Sequence, residues 1–137
     1  MVIYYALNSF RLCIDRIEDN LCIGRLYTPL YSKVLVFKDL TNMVLLMDEI
    51  FDKNNYPRAY QNKRSFKKSN IIEKKAEIKF EIEKLIKEKG ELATFDIIVT
   101  SRQHTCWQGI IKNMDGKIIS SFKSELNLID FLFKFLI

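Results

Sequence analysis

Glycine and proline are scarce in this chain, four and two among 137 residues, which leaves little room for long irregular or low-complexity stretches. Disorder is therefore expected in one short segment at most. Cysteine is also sparse. Cys13, Cys22 and Cys106 form no CxxC pair, and an odd number is a poor disulfide framework, so they read as small apolar residues on strands. No ligand pair has the spacing of a structural zinc site, and neither metal nor cofactor is expected. No apolar run reaches the roughly 18 residues that would cross a bilayer. Met1-Val2-Ile3-Tyr4-Tyr5 places no basic stretch ahead of an apolar one, so the expected compartment is the cytoplasm, with no membrane partner. Signatures of helix-turn-helix, KH, RRM or P-loop modules are missing as well.

Apolar residues are plentiful, 48% of the chain, enough for a single domain spanning residues 1–137 to bury about two-thirds of its unfolded surface. From Val2 to Ile17 β-branched, aromatic and aliphatic residues dominate, which predicts a strand. Glu18-Asp19-Asn20 supplies a turn before a second strand, Leu21 to Tyr27, ended by Pro29, and Lys33 to Phe37 makes a third. The period then changes. Leu40, Met43, Val44, Met47, Ile50 and Phe51 lie on one helical face behind an Asp39 N-cap, predicting a helix over 40–53 that stops before Tyr56-Pro57.

The plan repeats. Leu92 to Arg102, Cys106 to Asn113 and Lys117 to Phe122 read as strands, with Gln103-His104-Thr105 as a connector and Asp115-Gly116 as a tight turn. Ser124 caps a helix from Glu125 to Leu136. Thirteen residues separate Gly24 from Phe37 and Gly109 from Phe122, and Asp39/Ser124 and Asn42/Asn127 fall in the same register. Agreement of cap, turn and strand order favours an internal repeat. The expected fold class is α+β: two pseudo-repeated β-β-β-α halves, 1–57 and 92–137, forming an antiparallel sheet packed by helices.

The intervening residues 58–91 open with Arg58, Lys63, Arg64, Lys67 and Lys68 and no acid through position 68, a local charge equal to the net +5 of the whole chain. A capping box at Asn70 and Glu73, a narrow stripe of Ile71, Ile78, Ile82, Leu85 and Ile86, and Gly90 as a stop predict a charged helix over 71–89. In the last helix only Asn127, Asp130 and Lys134 interrupt the apolar residues. One sheet face cannot easily cover such a helix, so self-association is expected there, through Leu128, Phe131 and Phe135.

Candidate chemistry concentrates in Ser101 to Gly109, which holds the only Trp and the only His. Trp107 offers a flat apolar surface, Arg102 a bidentate fork, and Gln103 and Gln108 amide donors and acceptors, a set suited to a planar or anionic ligand. The competing reading keeps Trp107 in the core and leaves the others decorating a hairpin. Lys63, Arg64, Lys67 and Lys68, with Tyr60 and Phe66 nearby, could follow a phosphate backbone, or form a solvated linker. Cys106 and His104 could pair as nucleophile and base, but the sequence names no third group to orient them. Asp48, Glu49 and Asp52 read as a solvated helix face.

The chain resembles a set of small uncharacterised proteins of Gram-positive anaerobic bacteria. The likeness lies in Gly24-Arg25-Leu26-Tyr27 with Pro29, in Met47-Asp48-Glu49-Ile50-Phe51-Asp52 with Pro57, in Arg102-Gln103 with Trp107-Gln108-Gly109, and in Ser121-Phe122-Lys123-Ser124-Glu125-Leu126. It covers both halves and skips the charged middle, which implies a variable linker. That set has no assigned activity, so the resemblance implies none. The expected role is a non-enzymatic binding or regulatory module, a homodimer whose surface for a small ligand or protein partner is the turn from Arg102 to Gly109. A nucleic-acid-binding protein comes second, and a small Cys/His enzyme third.

Overall fold

The computed structural model of the chain describes residues 5–56, 78–103 and 106–137. β1 (Ser9–Glu18) and β2 (Leu21–Tyr27) are joined by Asp19 and Asn20, whose positive φ angles of 52° and 64° make the two-residue turn that suits strand twist. β3 (Leu35–Phe37) leads into α1 (Leu40–Asn54), where the Asp39 carboxylate accepts from the Asn42 N–H at 2.7 Å. A single helical turn, α2 (Ile82–Leu85), precedes β4 (Ala93–Gln103), β5 (Cys106–Lys112) and β6 (Ile118–Phe122). α3 (Glu125–Leu136) closes the chain, capped by the Ser124 hydroxyl, which accepts from Asn127 N–H at 3.1 Å.

The six strands form one antiparallel sheet in the order β3-β2-β1-β4-β5-β6, so the two β-β-β-α halves meet at β1 and β4. Adding 85 to a residue number in the first half gives its equivalent in the second. Ile14 opposite Gly24 becomes Val99 opposite Gly109, and Gly24 opposite Phe37 becomes Gly109 opposite Phe122. The β-bulge between Ile14 and Arg16 recurs between Val99 and Ser101. The two glycines meet the same constraint: a Cβ there would collide with the backbone oxygen of Cys13 or Ile98 and fall 3.0 or 2.6 Å from Phe37 Cζ or Phe122 Cζ, so only a bare backbone fits against the neighbouring strand and beneath each ring. The antiparallel pairing of β1 with β4 places a pseudo-twofold axis perpendicular to the sheet between Arg11 and Asp96, which face one another and are themselves equivalents.

Both long helices lie on one face of the sheet. Phe10, Leu12 and Ile14 of β1 and Phe95, Ile97 and Val99 of β4 point to that face and are buried beneath Met43, Met47, Phe51, Leu128 and Leu132. Phe10 and Phe51 meet edge to face at 5.3 Å, a favoured aromatic geometry.

Several expectations are corrected. β1 begins at Ser9 rather than Val2; residues 1–4 are outside the described residues. Of the helix expected over 71–89, residues 71–77 also lie outside them, and in the remainder only Ile82–Leu85 is helical. Residues 78–92 are instead strapped across the sheet, with Lys79 N–H donating to Pro29 C=O at 2.6 Å and Leu92 N–H to Ile14 C=O at 2.8 Å. Gly90 is not a helix stop: a Cβ there would come within 2.5 Å of the backbone of Ile14, so it permits a close crossing over β1. In α3, Leu128 is a core residue, fully buried with Leu132, Phe131 is half-buried and Phe135 exposed. Leu128 cannot serve an interface between folded copies.

Candidate functional site

The cluster at Arg102 to Gly109 does not gather on one surface. The bulge in β4 puts Arg102 opposite Trp107 on the helix-covered face. Trp107 is only 2% exposed, its ring edge-on to Phe51 at 5.7 Å and its indole N–H facing the Asp48 carboxylate. Arg102 lies over the Phe51 ring at 5.4 Å, ion-paired with Asp52 and 3.9 Å from Asp48. Gln108 is exposed and, one residue on from Trp107, points to the opposite face. Nothing is described of the side chain of Gln103, and His104 lies outside the described residues, as do Lys63, Arg64, Lys67 and Lys68. Asp48 and Asp52 are thus the acids that hold Arg102, while Glu49 pairs with Lys53. Burial, then the neighbouring Asp52 charge, raises the pKa of Asp48.

The outer face of the sheet, away from the helices, carries the polar groups that single-residue reasoning missed. At the pseudo-twofold axis Arg11 Nε and Nη2 donate to the two carboxylate oxygens of Asp96 at 2.8 and 2.9 Å, a bidentate pair. Tyr5 hydroxyl donates to the same carboxylate at 2.7 Å. Arg11 Nη1 reaches the carbonyls of Ile86 and Glu88 at 3.1 and 3.3 Å, so one guanidinium ties β1, β4 and the 78–92 strap together. Burial, then the Asp96 charge, holds the Tyr5 phenol well above its ordinary pKa, and it stays a donor.

On the first half this face is closed. Leu85 is fully buried against Cys13 and Tyr27, with Phe80 edge-on to Tyr27 at 5.6 Å. Arg25 donates to both carboxylate oxygens of Asp15 at 2.9 and 3.1 Å, and to Glu88 at 3.2 Å, which also accepts from Tyr27 hydroxyl at 3.1 Å. The bonds from Arg25 lower the pKa of Asp15, while burial pushes the Cys13 thiol up to about 11, leaving it a neutral packing residue.

On the second half, among the described residues, the same face opens into a cleft of about 540 Å³. Arg11, Asp96 and Tyr5 form its polar end, Ile98, Met114 and Ile86 supply apolar walls, and Lys112, Lys89 and Asp115 stand around it. The cleft reaches the β5–β6 turn, where Gly116 at φ 82° donates to Asn113 C=O at 3.0 Å.

No protein-family model, no curated protein and no solved structure matches the chain. The site is therefore read from its own geometry. Among the described residues no three His, Cys, Asp or Glu side chains gather to hold a metal ion, and no helix is long and apolar enough to cross a membrane. One signal could have found the polar end of the cleft in the sequence. The repeat offset that aligns Gly24 with Gly109 also aligns Arg11 with Asp96, and Cys22 and Ile17, both apolar, with Trp107 and Arg102. It marks Trp107 as a core position and Arg11–Asp96 as a facing pair of opposite charge.

Proposed function

We propose that the chain is a non-enzymatic binding module whose ligand surface is the outer-face cleft beside Arg11 and Asp96, not the turn at Arg102 to Gly109. One observation carries this reading: among the described residues, the face that is closed over in the first half stands open in the second, leaving a cleft of about 540 Å³ with apolar walls and fixed polar groups at one end. The titratable groups at that end favour binding over proton transfer. Asp96 already accepts from Arg11 and Tyr5, and the raised Tyr5 phenol holds its proton. The cations around it, Lys112 and Lys89, suit a ligand with an acidic group and an apolar body.

The probe 8-anilinonaphthalene-1-sulfonate has both parts. Its fluorescence is expected to rise and saturate with the native protein, to fall severalfold in Ile98→Gln and Lys112→Glu, and to be unchanged in Leu126→Glu. Enhancement indifferent to the first two changes and lost in the third would place the dye on α3 and sink this reading.

Self-association is the second part of the proposal, and it rests on α3. Leu126 is 77% exposed, and Phe133 and Ile137 continue that exposed row at spacings of seven and four. Phe135, also exposed, lies on the other side of the helix, edge-on to Phe95 at 5.3 Å and 5.7 Å from Phe131, so it is not part of this row. Sedimentation velocity should show a dimer that Leu126→Glu with Phe133→Glu converts to monomer; a native monomer at high concentration would end the idea.

A further inference from the structure

The pseudo-twofold axis makes the closed outer face of the first half a template for whatever closes the second. In the first half the grip consists of one aliphatic side chain and one carboxylate three residues later: Leu85 against Cys13 and Tyr27, and Glu88 on Arg25 and Tyr27. The offset of 85 that relates the halves carries Cys13 to Ile98, Arg25 to Ile110 and Tyr27 to Lys112. Ile98, Ile110 and Lys112 are each half-buried, where Cys13 and Tyr27 are buried. The surface waiting in the second half thus offers Ile98 and the aliphatic stem of Lys112 where the template has the seat for Leu85, and Ile110 with the Lys112 ammonium at the position that receives Glu88. With Arg11 and Asp96 neutralising one another, Lys89 and Lys112 outnumber Asp115 around the cleft, so its charge complements an acid.

We propose that the cleft receives a short peptide segment of a partner protein, with an aliphatic residue seated on Ile98 beside the Lys112 stem and a Glu or Asp three residues later on the Lys112 ammonium. This rests on the cleft being the binding surface and goes further by naming the ligand class. The strap of the same chain shows that the sheet face accepts such a segment with only one helical turn, α2, in it. Affinity comes from a small apolar anchor and one ion pair at a partly desolvated site, the arrangement found at the centre of small interfaces.

The test uses the full-length protein, isotope-labelled, and a synthetic peptide with the sequence of residues 80–91. Chemical-shift changes are expected to centre on Ile98, Ile110, Lys112 and Gly116 and to saturate. Lys112→Glu should weaken binding about tenfold or more, Lys112→Gln by less, and a peptide with Lys at the place of Glu88 should regain affinity for the Lys112→Glu protein. A peptide with Asp at the place of Leu85 should not bind. Changes centred on Cys13, Tyr27 and Leu85 would mean that the peptide only displaces the native strap, and would overturn the proposal. If the sulfonated dye binds the cleft but the peptide does not at millimolar concentration, the peptide class is wrong while the cleft reading stands. If neither binds, both fall.

Discussion

Asp48 and Asp15 are both carboxylates beside an arginine, yet their surroundings drive them in opposite directions. Burial, then Asp52, raises the pKa of Asp48, so ionising it works against folding. Its adverse effect is absent in acid and develops as pH rises from the unfolded-state value, about 3.9, through the higher folded one. Asp48→Asn, whose amide oxygen can still face the indole of Trp107, should therefore be more stable than the native protein at pH 7 and equal to it near pH 3. Asp15 has the reverse sign. Hydrogen bonds from Arg25 lower its pKa, so its contribution is complete above the unfolded value and is lost as pH falls through the folded one. Asp15→Asn should lower the urea midpoint at pH 7 and converge with the native protein in strong acid. A parallel pH dependence for the two variants would contradict these assignments. Residue types alone did not separate these acids. That Asp48 and Asp52 hold Arg102 depends on where α1 crosses the sheet, which helical periodicity does not specify.

The elements were legible wherever local chemistry decides them. Asp39 and Ser124 each accept from the N–H three residues on, and Asn42 and Asn127 each return a side-chain oxygen to the N–H of Lys38 and Lys123 at 3.1 and 3.0 Å. Such reciprocal caps are written in four consecutive residues. Ser124→Ala should cost about 1 kcal/mol, and Asp39→Ala a similar amount, measured as the loss in unfolding free energy in urea. The strap over residues 78–92 was illegible for the opposite reason. Its apolar residues recur with helical spacing, but the backbone carbonyls of Ile86 and Glu88 are taken by Arg11, and its ends are bonded to Pro29, in the loop after β2, and to Ile14 of β1. Tertiary partners outweigh propensity there. The surplus of apolar residues on α3 was legible as well, but not which of them lie inward. Leu128 and Leu132 do, leaving Leu126, Phe133 and Ile137 on the outer side.

For the whole molecule, the repeat was visible in the spacing of Gly24 to Phe37 and Gly109 to Phe122, because a bare glycine between the neighbouring strand's backbone and a cross-strand ring is needed once in each half. Beyond the facing Arg11–Asp96 pair that the same offset marks, the site was not, because the cleft is made by residues far apart in sequence that meet only when β1 pairs with β4. Its polar end is also the centre of the fold. Removing one partner of the Arg11–Asp96 pair, as in Asp96→Ala, should cost about 3–5 kcal/mol, since the other charge remains nearly buried. The exchange Arg11→Asp with Asp96→Arg should recover part of that loss. The ion pair survives the exchange on the axis, but the carbonyls of Ile86 and Glu88 lose their donor and Tyr5 its acceptor. An exchanged protein no more stable than the worse single variant would show that the strap, not the pair, sets the stability.

Because Arg11 and Asp96 sit on a twofold axis, they occupy the one place where symmetry would force identical residues to face each other. Two copies of the first half docked through β1 would set arginine against arginine; two copies of the second, through β4, aspartate against aspartate. The sheet closes favourably only between unlike halves. The axis therefore works as a lock that each half opens for its counterpart and keeps shut against itself.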